Sequence, residues 1–344
     1  MKVEGYRIHA WGGDLHWESF DVGDPGPTEA LVEVEACAIG LTVLNWMQGD
    51  IANDPELLPR VPGHEIVGRV RDVGEGVTSL SPGDRVVAYV YLSCGHCQSC
   101  RGGEDSMCRN LGGYLSVHCD GGYAPFVVLP AQNLLPLAES IPATDAVAIP
   151  DAIASPWHMV RTRAQVHLGD RVAVIGAGGG LGVHMIQIAQ LLGAEVAGLE
   201  KEETKLSMIE DLGAVPVAVS SFEELGATEL WTDGPTVVVD LVGREESLSW
   251  GLGALAPGGR MVVLTTFREI DFPVEPREMV IRQLSLLGSR YTSKAEVMEV
   301  SELVKGGLIR PVVTEVVSPD GVPQVHQALR DGTLRGRAAL TWSG

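Results

Sequence analysis

At residues 171–182 the chain reads RVAVIGAGGGLG, a short apolar run that passes directly into a glycine-rich turn. VHMIQIAQLLGA follows, with Leu181, Met185, Ile188, Ala189 and Leu192 at helical spacing and Gly193 as the stop. Strand, glycine turn and helix in that order suit a dinucleotide. Bare backbone amides can approach a pyrophosphate there, and the helix N-terminus favours its charge. The first glycine of the usual Gly-x-Gly-x-x-Gly pattern is displaced: Gly176 is followed by Ala177, then Gly178, Gly179, Gly180, Leu181 and Gly182. The next strand, AEVAGLE, restores the context by ending in Glu200. A carboxylate at that point accepts hydrogen bonds from ribose hydroxyls and repels a 2′-phosphate. NAD(H) is therefore expected in preference to NADP(H), with the adjacent Lys201 opposing a strict preference.

Outward from this turn, RVAVIG, AEVAGLE, VPVAVS, TVVVDLV, RMVVLT and LSLLGS read as six short buried strands. Strands that do not alternate and are separated by crossovers predict a doubly wound parallel sheet, covered on both faces. Before about residue 150 the rhythm differs. ALVEVEACAIG (30–40), EIVGRVRDVG (65–74) and DRVVAYVY (84–91) are strand-like runs punctuated by Gly and Pro. The last fifty residues return to mixed structure, with a helix in SKAEVMEVSELVKGG and a closing strand in RGRAALTW. The expected organisation is α/β in two domains: residues 1–151 with 293–344, and residues 152–292.

A chain of 344 residues that is 45% hydrophobic can bury two cores. A formal net charge of −20 excludes the basic footprint that nucleic acid or an anionic membrane requires. The N-terminal MKVEGYRIHAWGGD has no apolar signal region, and no apolar run approaches the roughly 18 residues of a membrane span. A cytoplasmic protein acting on a small molecule is expected, without a nucleic-acid or membrane partner. The apolar run REMVIRQLSLLGSR ends the parallel sheet in an edge-like strand, which predicts a homodimer or homotetramer.

Four of the six cysteines fall in CGHCQSCRGGEDSMC, as Cys94, Cys97, Cys100 and Cys108. The spacing C-x2-C-x2-C-x7-C lets four thiolates close a tetrahedral zinc site with no open position, which staples a loop and performs no chemistry. The spacing alone also fits an iron–sulfur cluster, although no ferredoxin-like sequence accompanies it. One structural zinc per chain is the expectation. Cys37 and Cys119 read as core cysteines, and His118 as an acid only if the active site reaches it.

PGHEIVG, DGGYAPFVVLP, the four-cysteine segment, GAGGGLG and Glu200, in this order, resemble the medium-chain dehydrogenase/reductase superfamily, and its zinc-containing alcohol dehydrogenases most of all. The resemblance implies a GroES-like β-domain, a Rossmann domain, a cleft between them and a catalytic zinc. Carried over residue by residue, it puts the second metal ligand at His64, followed by Glu65, and the third at Asp151. Ser155 falls where the nicotinamide amide is usually contacted. Lys205, Val242, Thr265 and Arg337 fall at further cofactor positions. The first-ligand motif departs from the family: the ligand cysteine is Gly40, the supporting acid is Val43 and the relay histidine is Asn45, while the relay hydroxyl survives as Thr42. Cys37 lies three residues upstream of the ligand position, an odd shift that turns it to the other face of a strand.

A catalytic zinc needs three protein ligands and an oriented second layer. Their loss implies a site without catalytic zinc, as in acryloyl-CoA reductase-type members. Hydride would then go to a polarised C=C or C=O bond, with Thr42, Asn45 and His64 donating to the developing oxyanion, Asp151 beside them, and Trp46 and Trp157 as apolar pocket walls. Two other readings stand beside this one. The chain could be an alcohol dehydrogenase whose zinc is held by His64, Asp151 and a third ligand, or a cofactor-binding sensor or scaffold that has lost catalysis.

Overall fold

The six apolar runs after residue 170 form one parallel sheet in the order Val215–Ala218, Glu195–Glu200, Arg171–Ile175, Val237–Asp240, Arg260–Val263 and Ser285–Gly288. The two central strands, Arg171–Ile175 and Val237–Asp240, are almost wholly buried, which is why their sequences do not alternate. Strand order reverses between them, and both deliver their C-terminal ends to the same edge of the sheet. The glycine turn that follows Ile175 and the Leu241–Gly243 turn that follows Asp240 therefore sit side by side at the switch point of the sheet, where such folds bind ligands.

The computed structural model describes residues 1–226, 230–264 and 270–342. The parallel sheet belongs to a unit formed by Ser155–Tyr291 and Leu308–Arg310. The short return at Leu308–Arg310 is tied in by Gln187, whose side chain donates to the Arg310 carbonyl and accepts from the Arg310 amide, both at 2.9 Å.

Met1–Ala154, Thr292–Gly307 and Pro311–Gly344 form the other unit. Its sheet runs Val313–Val317, Arg337–Thr341, Glu29–Ile39, Ile66–Val73, Arg85–Ala88 and Leu134–Pro136, with Phe126–Pro130 also paired to Glu29–Ile39. Residues 29–35 alternate between half-buried and buried, then Ala36, Cys37, Ala38 and Ile39 are all buried. The change coincides with the antiparallel pairing of this end to Arg337–Thr341, in which Ile39 faces Ala338 and Cys37 faces Leu340. Cys37 is thus a core residue, and burial pushes its thiol pKa far up. A two-stranded ribbon, Lys2–Arg7 with His16–Asp21, is added at the N-terminus. The expected helix is Lys294–Lys305, started by a capping box: Ser293 Oγ accepts from the Glu296 amide at 3.2 Å and the Ser293 amide donates to Glu296 at 2.8 Å.

The helix Val322–Arg330 is anchored by a buried polar pair, in which Tyr123 hydroxyl donates to His326 Nε2 at 3.0 Å. Burial, with a smaller contribution from the charge of Arg330, pushes His326 down to about 4. An unfolded histidine titrates near 6.5, so between about pH 6.5 and 4 the unfolded chain binds the extra proton. The stability this pair gives is complete above that window and is lost as pH falls through it. In thermal melts, His326→Gln should flatten the acid loss of stability by up to about 1.4 kcal/mol per pH unit between pH 6.5 and 4; an unchanged slope there would contradict the assignment.

Candidate active site and metal centre

The cysteine lobe is brought to a point by its own backbone. Cys94 and Cys100 Sγ lie 4.0 Å apart, Cys97 and Cys100 3.5 Å, and Cys97 and Cys108 4.0 Å. A tetrahedron with zinc–sulfur bonds of about 2.3 Å has edges of roughly 3.8 Å, so the spacing fits. Backbone amides already point at the sulfurs: Cys94 N at Cys108 Sγ (3.3 Å) and Cys97 N at Cys94 Sγ (3.4 Å). Hydrogen bonds from the Cys100 and Arg109 amides pull Cys97 down to about 6, while burial holds Cys100 up to about 12. The last proton leaves such a cluster against a bound cation, which couples metal affinity to pH. The lobe is fastened to the capped helix through Asp105, which accepts from the Lys294 amide at 3.3 Å.

At the glycine turn, Gly176 has φ +83°, a conformation only glycine holds without strain. A Cβ on Gly178 would stand 2.6 Å from Lys205 Cβ and 2.9 Å from Glu200 Oε2, and one on Gly182 would strike the Gly176 and Ala177 carbonyls. The Glu200 carboxylate accepts from the Gly178 amide (2.9 Å), the Lys201 amide (2.9 Å) and the Glu202 amide (3.2 Å). Val242 flanks Gly176, and its amide and that of Gly243 donate to buried Asp240 at 2.7 and 2.8 Å. Gly176, Gly178, Glu200, Lys205 and Val242 are thus brought together, with Gly179, Gly180 and Leu181 in the same turn. These residues fit a dinucleotide: bare amides, a glycine-only bend and a carboxylate at the end of the second strand. Ser155 and Trp157 are buried in this unit, and Thr265 lies outside the described residues. Asp240, which is not among the residues expected from sequence, holds the second loop; its signal is an acidic residue at a strand end three positions before a glycine.

In the other unit, Gly40 ends the strand Glu29–Ile39 and starts the helix Leu41–Met47. That helix buries Val43, Leu44 and Met47, and Thr42, Asn45 and Trp46 share its other face by their i, i+3, i+4 spacing. Trp46 marks where this face points, because its ring lies 4.6 Å from that of His64. His64 follows Gly63, whose φ is +93° and whose missing Cβ makes room for Tyr123 and Cys37. His64 Nε2 stands 3.3 Å from Asp151 Oδ2, both residues buried. His64 Nδ1 has no partner among the described residues. Burial lowers the His64 pKa, with Asp151 opposing and Arg337 adding to the shift. Glu65 accepts from the Ala152 amide at 3.2 Å and forms an ion pair with Arg337.

His64, Glu65 and Asp151 could each offer one ligand atom within 4.8 Å of the others. Cys37 is not in that group. Arg337 lies buried in this unit with its guanidinium directly over Gly40, in the space a side chain there would take. An aromatic wall, not foreseen from sequence, continues from Trp46: Tyr114 at 5.6 Å between ring centroids, then Tyr91 at 4.9 Å. His118 touches this wall through Tyr114, and its Nδ1 accepts from the Tyr114 amide at 3.2 Å. Burial, with the charge of Arg60 adding to it, lowers the His118 pKa below the usual histidine value. The signal for this wall was Gly113, whose φ of +130° and missing side chain admit the His118 ring.

A switch-point glycine turn in one unit, with a closed thiolate lobe and a buried His–carboxylate site in the other, defines a nicotinamide-dependent oxidoreductase of the alcohol dehydrogenase type. Residues 26–139 match the alcohol dehydrogenase GroES-like domain, and residues 180–306 the zinc-binding dehydrogenase domain. The chain is 30% identical to the acryloyl-coenzyme A reductase of Metallosphaera sedula over 99% of its length and all of that protein. It is 29% identical to the NAD-dependent alcohol dehydrogenase of Sulfolobus acidocaldarius, over 98% of this chain and 99% of that one. Among solved structures, an NAD-dependent alcohol dehydrogenase matches with a TM-score of 0.88 and 32% identity, covering 98% of this chain and 99% of its own. The chain therefore belongs to the zinc-type alcohol dehydrogenase-like family of medium-chain dehydrogenases/reductases. No helix among the described residues is long and apolar enough to cross a membrane.

Cys97→Ser should release zinc and lower Tm by several degrees while NADH still binds, since the cofactor turn is in the other unit. Metal analysis and calorimetry on one sample check this, and an unchanged zinc content would contradict it.

Proposed function

We propose that this chain is an NAD(H)-dependent reductase that delivers hydride to a polarised C=C or C=O bond without a catalytic zinc. The observation that carries this reading is the state of His64. A zinc held by Nε2 would put the ring proton on Nδ1, where the described residues offer no acceptor, and valine stands at position 43, where the family resemblance puts the supporting acid. A buried N–H without a partner costs about 1–3 kcal/mol, and the lost second layer weakens metal binding about 10–100-fold. With no side chain at Gly40 and Glu65 committed to Arg337, His64 and Asp151 remain as two ligands where three are needed. Relatives named acryloyl-coenzyme A reductase support a conjugated carbonyl as substrate.

The reduced nicotinamide, when bound, supplies the hydride. This chain's residues then manage charge and protons. Thr42 and Asn45, on the helix face turned toward His64, donate hydrogen bonds to the oxygen that gains the electron pair. His64, held by Asp151, transfers a proton to the product as general acid and is reprotonated from solvent. The rings of Trp46 and Tyr114 exclude water and offer flat apolar surface to a conjugated substrate.

Because burial lowers the His64 pKa, its proton-loaded form disappears as pH rises through a value below 6.5. Turnover should rise toward acid through that range, and His64→Ala should remove the rise and cost about 10²-fold in kcat, with bound zinc unchanged at one per chain. The grouping of His64, Glu65 and Asp151 favours a second reading, an alcohol dehydrogenase with a catalytic zinc. Two zincs per chain, with alcohol oxidation lost and regained with the second, would establish that reading instead. Stoichiometric NADH binding without turnover on enones, quinones, thioesters or alcohols would indicate a sensor.

For the cofactor, we propose that Glu200 selects NADH, because its charge faces the ribose edge of the turn. Glu200→Gln should narrow the NADH over NADPH ratio of Kd values by about tenfold, equivalent to 1.4 kcal/mol. Tighter NADPH binding in the unaltered protein would show that a cation such as Lys201 dominates.

A further inference from the structure

We infer that Arg337 is the resident cation of the His64–Asp151 site and occupies the volume of the ligand that Gly40 lacks. The inference rests on the zinc-free reading above and explains what keeps the site closed to a metal. Three observations converge on it. The Ile39–Ala338 pair carries one step further to set Gly40 opposite Arg337 at the end of the two strands. A Cβ built on Gly40 falls within the guanidinium, its nearest atoms being Nη1, Cζ and Nη2. The same guanidinium pairs with Glu65, which among the described residues is the one other carboxylate grouped with His64 and Asp151.

Charge points the same way. Glu65 and Asp151 carry two negative charges, and Arg337 cancels one of them. A divalent cation added to this set would leave a buried net positive charge, because the thiolate that would balance it is missing. Glycine at 40 and arginine at 337 are therefore one device: the first removes a ligand and the second fills the gap with fixed charge. Arg337 acts on the site through Glu65 and Gly40 and is a positioning residue.

The test is to restore the ligand with and without the arginine, reading zinc per chain by plasma emission and, after cobalt exchange, the visible d–d bands of a tetrahedral site. The unaltered protein and Gly40→Cys should both hold one zinc, in the cysteine lobe. Gly40→Cys combined with Arg337→Ala should hold two and show the added cobalt spectrum. Should that variant melt early because Glu65 is left unpaired, Gly40→Cys/Glu65→Gln/Arg337→Gln removes both charges and should also hold two. A second zinc in Gly40→Cys alone, or none in either folded combination, would overturn the role of Arg337 while leaving the zinc-free reading in place. Two zincs in the unaltered protein would instead defeat the zinc-free reading itself.

Discussion

The antiparallel register of Ala36–Ile39 against Ala338–Thr341 is the constraint from which the site follows. The strand Glu29–Ile39 has Arg337–Thr341 on one side and Ile66–Val73 on the other, with Cys37 facing both Leu340 and Ile66. One side thus brings Arg337 to the end of the central strand, and the other brings His64 and Glu65, with the Ala38 amide donating to the Glu65 carbonyl at 2.9 Å. Gly40 lies between them. A slip of one residue would exchange the faces of every side chain on a strand, sending Arg337 to the far face of the sheet and leaving Glu65 buried without a partner. The buried alanines at 36, 38, 338 and 339 let the strands close on both faces at this point, and the ion pair is the polar feature that only one register satisfies.

Local signals made much of this architecture legible. The six strands of the parallel sheet were readable because burial on both faces removes alternation, and the nucleotide turn because Gly176 and Gly182 have geometric work that other residues cannot do. The cysteine lobe was legible because its ligands are neighbours in sequence. What escaped was non-local. The contact between Arg337 and Glu65 is one case, since nothing in RGRAALTW announces that its strand lies against residues 36–39 or that its side chain meets Glu65. Tyr91, Tyr114 and His118 are ordinary in sequence and gather only because Gly113 admits the His118 ring and the Cys94–Cys108 segment folds back. The N-terminal ribbon also went unread, since its second strand, His16–Asp21, is mostly exposed and lacks an apolar face.

The two groups of metal-type side chains in this unit differ in what surrounds them, and the difference is chemical. Around the four cysteines, backbone N–H groups point at the Cys94 and Cys108 sulfurs, so thiolate charge meets donors as it forms. Around His64, Glu65 and Asp151, the neighbouring charge is a guanidinium and the neighbouring group is an indole ring. Ligand proximity is alike in both, within 4.8 Å. The distinguishing feature is whether the surroundings complement the ligands' charged form or compete with the metal for it.

On the zinc-free reading proposed above, that competition constrains the substrate. A divalent ion concentrates charge on one oxygen and so can activate an isolated aldehyde or ketone. Hydroxyl, amide and imidazole donors spread a weaker stabilisation over a larger volume. A reaction relying on them proceeds best when the acceptor disperses its own charge, as an enone, quinone or unsaturated thioester does along its conjugated system. On that reading the aromatic surface formed by Trp46 and Tyr114 suits the same molecules, because a planar conjugated acceptor can lay one face against a ring at little cost in conformational freedom. On the zinc-free reading proposed above, glycine at position 40, the surviving hydroxyl of Thr42, the amide of Asn45 and an apolar wall beside them form one arrangement, a site that selects a substrate already polarised.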